Sequence, residues 1–170
     1  WDRDRSEEIA AAFFNGGGII VWENIFGTTN PWSLSDQRLW KKANRILHHY
    51  SDLIGRGQWE PFVPVLQSDL YANRWTDADQ AIFVFVRKGA EPKQGALLKI
   101  PHCEGQDYYD LWSGERLDPH IEKGTATVYG SIDQLGCILS LRQSAVTDQF
   151  LSFLRQQKEQ DPAAAEENVR

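Results

Sequence analysis

The chain has 170 residues, 41% hydrophobic and 12% aromatic, enough for the core of one ordinary domain or of a fragment joined to a small domain. Its net charge of -6 comes without a basic cluster, which argues against nucleic acid, because phosphate binding needs concentrated Lys and Arg. No apolar run approaches the roughly 20 residues a helix needs to span a bilayer, so no membrane span is expected.

In chain order, residues 7–15 predict a short helix of good helix formers, Glu7-Glu8-Ile9-Ala10-Ala11-Ala12-Phe13-Phe14-Asn15. Gly16 to Gly18 end it, since glycine accepts the left-handed backbone common at helix C-termini. The apolar run at 18–22, Gly18-Ile19-Ile20-Val21-Trp22, predicts a strand buried on both faces, as in a parallel sheet covered by helices. It ends in Trp22, Glu23 and Asn24, which make a poor core but a good sugar-binding or catalytic rim. A loop through Gly27, Asn30 and Pro31 leads to Ser33, which with Asp36 forms a helix-capping pattern. Trp40, Ala43, Ile46, Leu47, Tyr50, Leu53 and Ile54 then recur at spacings of three and four, so they line one face of a long helix. Lys41, Lys42, Asn44, Arg45 and His48 fall mainly on the other face, and Gly55 and Gly57 stop the helix. Strand, functional rim, loop and helix make the repeating unit of a β/α barrel, whose sites lie where strands end. One such unit is present.

After Pro61 the texture changes to short β-branched and aromatic runs separated by turn residues. Strands are expected near 63–66, 70–75, 81–87, 96–100, 108–112, 125–129 and 137–141, an antiparallel sandwich with 81–86 as its central strand. An amphipathic helix is expected over about 145–158, with Val146, Phe150, Phe153 and Leu154 on one side. The tail 161–170 has nothing to bury and reads as a disordered linker. The fold class is therefore α+β: a fragment of a β/α barrel (helix, strand, long helix) over 1–58, an antiparallel β-sandwich over 59–142, and a C-terminal linker helix over 143–160. The absence of methionine and the opening Trp1-Asp2-Arg3-Asp4 suit an internal piece of a longer chain, although a mature protein would look the same.

Glu23 is the leading catalytic candidate, as acid, base or nucleophile, or as an acceptor for sugar hydroxyls. A structural ion pair or a loop cap is its ordinary alternative. Glycoside hydrolysis usually needs a second carboxylate, which would come from other strands, because Asp36 is better explained by the helix cap. Trp22, Asn24 and Trp32 are the candidate substrate-binding residues, with Trp22, Phe26 and Trp32 as a stacking wall or as packing between loop and helices. Trp59, Tyr71, Trp75, Tyr108, Tyr109 and Trp112 would form a glycan platform if they shared an exposed face, and core packing otherwise. Asp110 reads as a turn residue. His48, His49, His102 and His120 make no metal set, and no phosphate loop, nucleophile elbow or dinucleotide fingerprint is present, so neither metal nor cofactor is expected. Cys103 and Cys137 read as unpaired thiols in or near a β core, with a single bridge between them left open.

The run Phe13-Phe14-Asn15-Gly16, the Trp22-Glu23-Asn24 rim and the Pro31 loop, followed by the long helix, resemble the last βα unit of a TIM-barrel glycosidase. Trp59-Glu60-Pro61 through Leu141, with Tyr109-Asp110-Leu111-Trp112-Ser113-Gly114-Glu115 near its middle, is similar to the C-terminal β-sandwich of such enzymes. The nearest likeness is the glycosidase-like region of bacterial multidomain proteins of the formylglycine-generating (sulfatase-modifying) factor family. This resemblance implies a carbohydrate ligand, an often extracytoplasmic setting and a barrel portion elsewhere in the chain. It does not carry over the formylglycine-generating chemistry. The alternative is a non-catalytic carbohydrate-binding or structural interaction domain.

Overall fold

The computed structural model describes residues 4–19 and 32–159. Four α-helices and nine strands are found there: α1 (Ser6–Phe14), α2 (Leu34–His49), α3 (Ser51–Arg56), β1 (Gln58–Val63), β2 (Leu70–Thr76), β3 (Gln80–Arg87), β4 (Lys93–Pro101), β5 (Gln106–Asp110), β6 (Glu115–Leu117), β7 (His120–Glu122), β8 (Thr125–Ile132), β9 (Leu135–Arg142) and α4 (Asp148–Lys158). The strand expected at 18–22, the rim at Trp22, Glu23 and Asn24, Phe26 and the tail at 161–170 lie outside the described residues, apart from Gly18 and Ile19.

The strands form two antiparallel sheets, one of six in the order β1-β2-β3-β9-β5-β6 and one of three in the order β4-β8-β7. The larger sheet is the middle layer of three. One core joins the helices to one face of it, through Ile9, Phe13, Ile46, Leu53 and Phe153 against Trp75, Ile82, Val84, Leu139 and Leu141. A second core joins its other face to the small sheet, through Phe83, Phe85 and Ile138 against Leu97, Leu98 and Val128. This explains the unbroken apolar runs of β3 and β9: alternate residues enter opposite cores, so both parities are apolar. The run at 81–86 lies, as expected, inside the sheet, paired on one side to β2 and on the other to β9.

Several expectations need correction. The first sandwich strand lies at Gln58–Val63 rather than 63–66. Pro61 reads as a boundary because it cannot donate to a ladder, but β1 is an edge strand, where a missing donor is tolerated. The strand expected at 108–112 ends at Asp110, and two strands of 3 residues each that the pattern does not predict lie between it and the strand expected at 125–129. Asp118 and Pro119 separate those two, and the chain changes sheets there. The long helix is interrupted at Tyr50, whose backbone leaves the helical region with φ of -103° and which serves as C-cap of α2 and N-cap of α3. Lys42 is buried rather than solvated, with its ammonium 5.3 Å from the centre of the Trp112 ring. The C-terminal helix forms as expected, capped by Thr147, whose hydroxyl accepts the Phe150 amide at 3.1 Å.

A buried amide ties the helix layer to the edge of the sheet. Asn73 Oδ1 accepts the Phe62 amide at 2.9 Å, and Asn73 Nδ2 donates to the Phe14 carbonyl at 2.9 Å. Asn73→Ala should therefore cost about 2 kcal/mol in urea unfolding, because it orphans a donor and an acceptor at once. A loss no larger than that of an exposed polar residue would show that water replaces the amide.

Candidate functional site

The described part of the candidate site is the end of the helix layer where α1 and α2 both begin. Ser33 Oγ accepts the Asp36 amide at 3.0 Å, the first half of the expected cap. The Asp36 carboxylate does something the local pattern does not disclose: Oδ1 accepts the amide of Arg5, at 3.4 Å, across the gap to α1. Asp36 is only 2% exposed, and its Oδ2 has no hydrogen-bond partner among the described residues. The start of α2 supplies a favourable field for that carboxylate. The Arg5 guanidinium lies 5.5 Å from the Trp32 ring and also pairs with Glu8 at 3.2 Å. Trp32 is half-buried against the helix-side core, and its carbonyl accepts Gln37 Nε2 at 2.8 Å. Trp32 thus stands beside a buried carboxylate and a cation, with packing explaining part of its position. Trp22, Glu23 and Asn24 lie outside the described residues, so Trp32 is the one placed member of the expected set.

The sandwich aromatics do not make one exposed row. Trp75, Tyr108 and Tyr109 are buried, and Trp112 is half-buried with its ring centre 5.5 Å from that of Phe13. Trp59 is exposed but lies over Trp75, while Tyr71 meets Phe62 edge-on. Asp110 is architectural: its Oδ1 accepts the Trp112 amide and its Oδ2 the Ser113 hydroxyl, each at 2.8 Å. Burial nevertheless raises its carboxyl above the usual range, against those hydrogen bonds and nearby Lys42. Cys137 is buried in β9 with its thiol pushed up by burial, Cys103 is exposed after β4, and both are free. No group of three potential metal ligands occurs among the described residues, and none of their helices is long and apolar enough to cross a membrane.

A cleft of about 540 Å³ runs along the seam between α2 and α4, lined by Lys41, Arg45, His48, Ser152 and Gln156 among others. Its cationic side has a structural use, since Arg45 donates to the Gln156 carbonyl at 3.0 Å near the C-terminal end of α4. His49 stacks on Phe153 with ring centres 4.2 Å apart. Burial, with the neighbouring His48 charge adding to it, holds the His49 imidazole below its usual value of 6.5. The unfolded chain therefore binds the extra proton first, so stability is full above pH 6.5 and falls as the pH drops from there towards the folded-state value. His49→Gln should flatten the fall in urea midpoint between pH 7.5 and 5, and equal slopes in both proteins would place the ring in solvent.

No family model matches the sequence, and no curated protein matches it. Among solved structures, the chain is similar to an Anoxybacillus alpha-amylase at 9% identity and TM-score 0.45, covering 68% of this chain and 25% of that one. It is similar to the alpha-amylase from H. orenii at 15% identity and TM-score 0.43, covering 76% and 27% of the two chains. A GH30 endoxylanase from Clostridium papyrosolvens C71 is similar at 14% identity and TM-score 0.38, covering 59% and 28%. The chain spans about a quarter of the length of these glycosidases.

Proposed function

We propose that this chain is the C-terminal part of a glycoside-hydrolase-like protein that acts on or binds carbohydrate, with the two sheets bracing the last βα unit of a barrel. One observation carries the reading: α1 and α2 are parallel neighbours. Their first residues meet where Asp36 accepts the Arg5 amide. Beyond the break at Tyr50, Ile54 of α3 and Trp75 lie against Gly16, just past the end of α1, so closely that a methyl group on Gly16 would stand 2.8 Å from Ile54 Cγ2. Two adjacent parallel helices require the chain between them to run back along their length. The 9 residues of α1 rise about 13.5 Å, a distance that four or five extended residues cover. The apolar run at 18–22 has that length and the composition of a doubly buried strand. On this reading the return ends at Glu23, beside Trp32 and the starts of both helices, the face on which β/α barrels carry their chemistry.

In the same proposal residues 1–58 close the barrel, 59–142 form the supporting sandwich, 143–160 lead away from it, and 161–170 connect to whatever follows, in a multidomain protein of the sulfatase-modifying factor kind. Trp22, Asn24 and Trp32 border the sugar site and Glu23 supplies one of its carboxylates. The test is turnover of aryl glycosides, and binding of their parent sugars, by the full barrel-containing chain with and without Glu23→Gln. A strong loss at unchanged melting temperature supports the assignment, and unaltered turnover and binding reject it. The second reading, a non-catalytic glycan-binding or interaction domain, draws on the rings exposed at Phe62 and Tyr71.

A further inference from the structure

A crevice of about 830 Å³ opens between the outer side of α1 and the sheet, within the roughly 300–1,000 Å³ typical of small-molecule sites. Three rings meet there. Phe62 is 67% exposed and Tyr71 38% exposed, with ring centres 6.2 Å apart and planes at 87°. Phe14 closes the inner side, 5.8 Å from Phe62. The rings form a corner, one plane as floor and the next as wall.

Phe62 is held in this position at a cost. It sits in the bulge between Glu60 and Val63 with φ of 53°, a left-handed backbone that disfavours any side chain with a Cβ. Such residues persist where the surroundings over-determine them, and they gather at ligand sites. Here Asn73, 1% exposed, fixes the Phe62 amide and the Phe14 carbonyl together. A buried amide and a strained backbone thus serve to hold a large apolar ring out in water, the reverse of what core packing rewards.

The rim selects the ligand. Glu7 and Asp133 are matched by Arg87 and Lys88, so the crevice has no net charge and suits a neutral ligand. Arg87 is committed to the Asp133 and Gly89 carbonyls, which shapes one wall. Asn15 and Gln134 add amides that donate and accept. Apolar planes edged by paired donors and acceptors fit a ring with an apolar face and a girdle of hydroxyls, which is a pyranose.

We propose that the Phe14–Phe62–Tyr71 crevice binds a neutral saccharide. This goes beyond the assignment of Glu23, on which it does not depend. The experiment is an amide NMR titration of the 170-residue chain with maltotriose, cellotriose and xylotriose in turn. At least one should produce saturable shifts centred on Phe62, Tyr71 and Gln134. Phe62→Gly, which removes the ring and suits the left-handed backbone, should weaken that binding about ten-fold or more, the worth of one aromatic contact. Tyr71→Ser, a change at an exposed position, should do the same. Absence of saturable shifts with all three sugars, or binding indifferent to both substitutions, overturns the proposal. So does concentration-dependent self-association that Phe62→Gly abolishes, which would assign the rings to a protein contact.

Discussion

Gly114→Ala is expected to lower the unfolding free energy by about 3 kcal/mol, the sum of left-handed backbone strain and overpacking. Gly114 follows Asp110 in the turn before β6, with φ of 76°, and its amide donates to the Asp110 carbonyl at 2.8 Å. A methyl group there would stand 2.3 Å from the Leu154 carbonyl oxygen and 2.9 Å from the Lys158 nitrogen, both backbone atoms of α4. Backbone cannot swing aside as a side chain can, so the helix itself must move. That helix buries Phe150, Phe153 and Leu154 in the helix-side core, and Gln157 Nε2 anchors it to the Leu111 carbonyl at 2.9 Å. Gly124 provides the control, with φ of 72° and open space where its methyl would lie. Gly124→Ala should cost about 1 kcal/mol, the backbone term alone. Equal losses in urea unfolding at the two positions would mean that α4 does not press on the turn.

How much of this was legible in the chain depends on how local each determinant is. The helix at Leu34–His49 announces itself because its apolar residues repeat along one face, and that face meets the large sheet. The strand at Gln80–Arg87 is legible for a different reason: it is buried between two cores, so its apolar run is continuous. The strands at Glu115–Leu117 and His120–Glu122 carry no such pattern, being short and polar and held by their partners β5 and β8. The same limit applies at the sites. The Asp36 cap is a local motif, whereas its bond to Arg5 spans 31 positions. Phe62 after Pro61 gives no sign of exposure, because its outward pose depends on Asn73, 11 residues on and buried. Lys42 reads as solvated by periodicity, yet Trp112 on a distant turn provides a place to bury it.

If the proposed role of Glu23 holds, Glu23→Gln in a full barrel-containing chain is expected to reduce kcat/KM for glycosides by about a hundred-fold or more, the usual worth of a positioned acid or base. Glutamine keeps the size of the side chain and one acceptor while removing the charge and the transferable proton, so binding should suffer less than turnover. Hydrolysis needs a partner carboxylate about 5 Å away for retention and farther for inversion. Asp36 is poorly suited to that role, since one of its oxygens is engaged by the Arg5 amide and it is nearly out of contact with solvent. On the proposed reading the partner comes from another strand, and the 170 residues alone should hydrolyse no aryl glycoside. Turnover by this piece would overturn the barrel reading. A structural ion pair at Glu23 predicts the opposite signature in the full chain, a lower melting temperature with turnover intact. Measuring both quantities on the one variant therefore separates the chemistry from the packing.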